Sequence, residues 1–95
     1  MGNKPLKPIE YSLSRPYPNP FNPVTSIQYS IPANNGVELV IYDITGRQIH
    51  TLVNAFQGIG YHTINWDASN YPSGVYLIRM KSGDFTQTQK VRLVK

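Results

Sequence analysis

From residue 26 to the C-terminus, hydrophobic and polar residues alternate in short runs separated by clusters of Gly, Asn, Asp, Ser and Pro. Alternation at period two puts successive side chains on opposite faces, so each run reads as a strand with one buried face. Strands are predicted over residues 26–31, 37–42, 48–54, 60–67, 74–81 and 85–94, with a short one near 11–14. The first two are expected to turn Ile27, Tyr29 and Ile31, then Val37, Leu39 and Ile41, toward the core. Later strands should bury His62, Ile64 and Trp66, then Tyr76, Ile78 and Met80, then Val91 and Leu93. Asn35-Gly36 is read as a turn pair that tolerates positive φ, and Asp43-Ile44-Thr45-Gly46 as a turn with a capping carboxylate and a left-handed glycine. Lys81-Ser82-Gly83-Asp84 is a tight-turn tetrad, and no window shows a helical period. Residues 1–23 differ, because they hold six of the eight prolines. Each proline removes a backbone donor and pushes its predecessor toward extended geometry, so residues 1–11 read as a linker and the next dozen as an extended lead-in.

Seven short strands without a helix predict an all-β fold, a seven-stranded antiparallel immunoglobulin-like β-sandwich, with a small closed barrel as the alternative. The 95 residues suffice for one domain with one modest core. The absence of cysteine excludes a disulfide scaffold, a thiolate metal site and a cysteine nucleophile. Nine Lys and Arg against five Asp and Glu give a net charge of +4, which favours acidic partners weakly and falls short of the density of nucleic-acid binders. No run approaches the ~18 apolar residues of a membrane span, so no stable membrane insertion is expected. The first residues contain no apolar signal core, which leaves a cytosolic protein or a piece of a longer chain whose export signal lies elsewhere.

Candidate chemistry is sparse. A general acid and base must converge on one pocket, yet His62 and Asp67 are five residues apart on one predicted strand and point to opposite faces. Asp43 offers a single carboxylate where a calcium loop needs several oxygen ligands, and no glycine-rich loop precedes a helix to cradle phosphate. No enzyme activity and no cofactor are expected. Tyr17, Tyr42, Tyr61 and Tyr71 fall outside the predicted inward faces and are candidates for a stacking platform, which would suit a carbohydrate-binding or adhesion module. Arg79, Lys81, Lys90, Arg92 and Lys95 gather toward the C-terminus, either as a recognition surface or as charges that keep an edge strand from pairing.

Several separated motifs, in order, carry a resemblance. Tyr17-Pro18-Asn19-Pro20-Phe21-Asn22-Pro23, Ile41-Tyr42-Asp43-Ile44-Thr45-Gly46-Arg47, Gly60-Tyr61-His62-Thr63-Ile64-Asn65-Trp66-Asp67, Ser73-Gly74-Val75-Tyr76 and the ending Lys90-Val91-Arg92-Leu93-Val94-Lys95 closely resemble the C-terminal sorting domains of the type IX secretion system. The likeness covers about residues 12–95, and the pattern is also similar to the immunoglobulin-like module of flagellar hook-capping proteins. It departs from the family at Ala68, where a glycine often follows Trp-Asp, and at Ile59. The resemblance implies a seven-stranded sandwich that addresses a larger, N-terminally placed cargo to an outer-membrane secretion translocon and is then removed by a sorting peptidase. The route would pass through the periplasm to the cell surface or the medium. The positions it marks for translocon recognition are Pro18, Asn19, Pro20, Gly74, Tyr76, Lys90 and Arg92. On this reading the prolines stiffen the lead-in, Gly74 permits close backbone packing, and the last strand offers an edge to which a partner adds by strand pairing.

Overall fold

The computed structural model describes residues 5–95, so the first four residues of the expected linker lie outside the described residues. The strands are β1 (Ser12–Leu13), β2 (Val24–Ile31), β3 (Asn35–Asp43), β4 (Gln48–Gln57), β5 (Gly60–Asp67), β6 (Gly74–Ser82) and β7 (Phe85–Leu93). They form two antiparallel sheets, one of order β1-β2-β5 and one of order β4-β3-β6-β7. This is the predicted seven-stranded β-sandwich, with the alternation of each strand turned toward a single shared core.

Trp66 lies at one end of that core at 1% exposure, with the rings of Phe21, Tyr71 and Tyr76 centred 5.4, 5.8 and 5.4 Å from its own. Its indole N–H is buried without an acceptor. Ile27, Ile31, Leu39, Ile41, Ile78, Met80, Val91 and Leu93 fill the rest, each on the face that period-two alternation assigns it. Ala68 is fully buried, and its N–H donates to the Pro23 carbonyl at 2.8 Å, so the methyl that departs from the family pattern packs in the core.

Three local readings are corrected. The Asn35-Gly36 pair makes no turn: it opens β3 with ordinary negative or extended φ, because the β2–β3 connection crosses from one sheet to the other and needs no two-residue hairpin. Asn34 instead braces that crossing by accepting the Ile59 N–H at 2.8 Å. Strand β4 runs to Gln57 and breaks strict alternation twice, since Leu52 and Ile49 are extra residues in its pairing with β3. Each extra residue re-aims the strand, which lets Ile49 and Leu52 as well as Val53 pack against the core. Gly74 is not in close packing, because a Cβ there would meet nothing within 4 Å. Its φ of +155° is what a side chain would resist.

Candidate recognition surface

One side chain of the proline-rich lead-in, Asn19, takes hold of two backbone groups of the last strand, 71 residues on at the nearer one. Asn19 donates from Nδ2 to the Lys90 carbonyl at 3.3 Å and accepts the Arg92 N–H on Oδ1 at 3.0 Å. Two residues on, the Phe21 N–H donates to the Arg92 carbonyl and the Val94 N–H to the Phe21 carbonyl, both at 2.9 Å, in a parallel bridge. The lead-in thus caps the C-terminal half of the β7 edge like an added half-strand. Proline suits this segment because it can follow an edge without donating to it. The Tyr17-Pro18, Asn19-Pro20 and Asn22-Pro23 peptide bonds are cis. The fully buried Thr25 hydroxyl fixes the other flank by donating to the Pro18 carbonyl at 2.8 Å, and Phe21, at 3% exposure, anchors the segment in the core.

The capping corrects the expected use of this edge. From Lys90 to Val94 the outward backbone groups are taken by Asn19 and Phe21, so a partner finds no free edge there for strand pairing. What the surface offers instead is shape and charge: Pro18, Asn19 and Pro20 exposed along one side, and the exposed side chains of Lys90 and Arg92 beside them. Gly74 and Tyr76 sit beneath. Gly74 pairs with Leu93, while Tyr76 pairs with Val91 and is 5% exposed, its hydroxyl donating to the Pro72 carbonyl. Burial raises the Tyr76 hydroxyl pKa, and the negative Asp43 and then Tyr71 add to the shift. Sequence reasoning missed the clamp itself, although an apolar Phe21 enclosed by Pro20, Asn22 and Pro23 signalled an anchor point.

The remaining polar groups serve the fold. Asp43 accepts from the Thr45 hydroxyl and from the Thr45 and Arg47 N–H groups, with the Arg47 guanidinium at 3.3 Å. These bonds, the Thr45 hydroxyl first, hold its carboxyl below the ordinary value. Gly46, at φ +89°, closes the same turn. Asp67 is lowered likewise by the Ser69 hydroxyl and N–H. His62 stacks on Tyr29 at 5.1 Å and its Nε2 lies 2.9 Å from the Gly58 carbonyl. Among the described residues no three His, Asp or Glu groups cluster as a metal site would require. The four tyrosines do not share a platform. Tyr71 is half-buried against Trp66, Tyr61 projects from the three-stranded sheet, Tyr42 lies on the four-stranded one, and Tyr17 stands exposed on the lead-in.

Residues 15–94 match the profile of the secretion system C-terminal sorting domain. The chain belongs to that family. No curated protein matches it. The matched span contains both halves of the Asn19 clamp and all of β2 to β7, so the fold and the family coincide. The sorting domain serves targeting in type IX secretion. No helix among the described residues is long and apolar enough to cross a membrane.

Proposed function

We propose that residues 12–95 are the address by which the outer-membrane translocon of the type IX pathway takes up a cargo joined N-terminally through residues 1–11. The translocon reads the composite ridge of Pro18, Asn19, Pro20, Lys90 and Arg92, while Gly74 and Tyr76 shape that ridge from below. A sorting peptidase then separates the domain from its cargo. The domain passes through the periplasm, and the cargo ends on the cell surface or in the medium. The observation that carries this reading is the Asn19 clamp, which puts two motifs from opposite ends of a sorting-domain sequence onto one exposed surface.

The test is export of a reporter fused ahead of the domain in a bacterium with a type IX pathway. Reversal of Lys90 and Arg92 to Glu alters side chains that point to solvent and leaves their clamped backbone groups in place. A folded double variant is expected to leave its reporter in the periplasm, because oppositely charged side chains now meet the docking surface. Normal surface delivery by that variant would remove Lys90 and Arg92 from the recognition surface. Failure of the unaltered domain to export the reporter would remove the address itself.

A further inference from the structure

The two sheets have four edges, and three of them are blunted. β1 is only two residues long, and β4 is bent by its two bulges. β7 is capped over its C-terminal half by Asn19 and Phe21, and the Nε2 of its Gln89 reaches across to donate to the Leu13 carbonyl at 2.9 Å. The edge of β5 has none of these devices. It pairs with β2 residue for residue from Gly60 to Asp67 without a bulge, and it holds no proline and no Lys, Arg, Asp or Glu before Asp67. Its backbone phase is fixed by the Ala68 N–H, which donates to the Pro23 carbonyl in the pair just beyond Val24 and Asp67. Alternate residues of an antiparallel strand turn their N–H and C=O to opposite sides, so Trp66, Ile64 and His62 bond β2 while Thr63 and Asn65 face outward. The residues paired with these two agree: Ser26 exchanges hydrogen bonds with Tyr17 and Gln28 accepts the Ser14 N–H, both on the far side of β2. Among the described residues no partner takes the backbone N–H or C=O of Thr63 or Asn65.

We infer that this edge pairs with a second copy of the chain, β5 against β5, antiparallel about a two-fold axis at Ile64. What selects a second copy is that the strand is complementary to itself. In this register the outward backbone groups of Thr63 meet those of Asn65 on the other copy, and the reverse, in closely hydrogen-bonded pairs. Exposed Thr63 and Asn65 side chains lie opposite each other on the outer face, while half-buried Ile64, at the rim of the core, meets its own copy on the inner one. Asp67 falls opposite position 61, away from the other Asp67, so no like charges oppose. Nor does the net charge of +4 bear on this contact, because the strand cations Arg79, Lys81, Lys90 and Arg92 all belong to β6 and β7. The pairing closes at two copies, since it consumes β5 and the other edges are blunted. β1 lies against β7 through the Gln89 bond, so β5, at the opposite edge of its sheet, leaves the recognition ridge of each copy uncovered. The inference therefore goes beyond the sorting reading and does not depend on it.

The test is sedimentation equilibrium of the full chain from ~10 μM to ~1 mM, a range set by an interface one strand wide, which is smaller than the ~1,600 Å² of a standard complex. The mass of the unaltered chain should rise with concentration from 10.7 kDa toward twice that value and no further. Thr63→Lys with Asn65→Lys sets like charges against each other across the axis and should weaken pairing at least tenfold, as should Thr63→Glu with Asn65→Glu. An equimolar mixture of the two double variants should recover the dimer, because Lys now faces Glu. Thr86→Lys with Thr88→Lys adds the same charge to exposed positions of β7 and should dimerise like the parent. Unfolding midpoints verify that each variant is folded. A parent that stays monomeric throughout, association beyond two copies, a Lys double variant that pairs as the parent does, equal loss in the β7 variant, or no recovery in the mixture would each overturn the inference. The measurement uses the purified chain without secretion machinery and alters no ridge residue, so its failure leaves the sorting reading untouched.

Discussion

Asn19 grips Arg92 by its backbone, leaving the guanidinium free. The amide accepts the Arg92 N–H on Oδ1, at 3.0 Å, while its Nδ2 donates to the Lys90 carbonyl, so one side chain satisfies a donor and an acceptor of the β7 edge. Asn19→Ala should destabilise the domain by about 1–2 kcal/mol, the net worth of two such bonds in a partly exposed setting. Urea unfolding gives the total. Hydrogen exchange gives the location, with faster exchange at the Arg92 amide and little change at the strand centres of β3 and β6. Uniform acceleration, or none at Arg92, would contradict the clamp.

Trp66 separates packing from hydrogen bonding. Trp66→Ala should cost about 3–5 kcal/mol, because a fully buried ring is replaced by a cavity among Phe21, Tyr71 and Tyr76. Trp66→Phe should cost only about 1–2 kcal/mol, since the indole N–H has no acceptor to lose and only volume is removed. Equal losses in the two variants, measured by chemical denaturation, would show that the indole N–H matters more than its surroundings indicate.

Much of this was legible because period-two alternation is a direct record of burial. Ile27, Tyr29 and Ile31, or Tyr76, Ile78 and Met80, could be assigned to the core by counting alone, and the structure places them there. The bulges of β4 were not legible, because an inserted residue shifts the pattern without marking itself, so the alternation gave no sign that both Ile49 and Leu52 turn toward the core. Asn35-Gly36 misled for a different reason: local turn chemistry says nothing about whether the chain reverses within a sheet or crosses to the other. The motifs at Pro18-Asn19-Pro20 and Lys90-Val91-Arg92 were visible as family marks, but their contact was not, because an edge cap depends on which strand lies outermost. Tyr71 failed as a platform residue on similar grounds, since it follows β5 in a loop where alternation no longer applies and folds back onto Trp66.

The two turn aspartates predict the acid limb of the stability curve. Asp43 and Asp67 are held below their ordinary 3.8, the first chiefly by the Thr45 hydroxyl and the second chiefly by the Ser69 hydroxyl. A folded-state value below the unfolded one means that the unfolded chain binds more protons in the interval, so stability rises with pH there. The contribution is complete above about 3.8 and is lost as the pH falls through each folded-state value. Asp43→Asn keeps an acceptor for the Thr45 and Arg47 N–H groups but removes the charge and its attraction to Arg47. Urea midpoints should therefore show the variant less stable than the parent at neutral pH, with the difference shrinking on acidification and vanishing once the parent carboxyl is protonated. Parallel curves down to strong acid would mean that the Asp43 charge adds nothing to the turn and that its lowered pKa is matched in the unfolded chain.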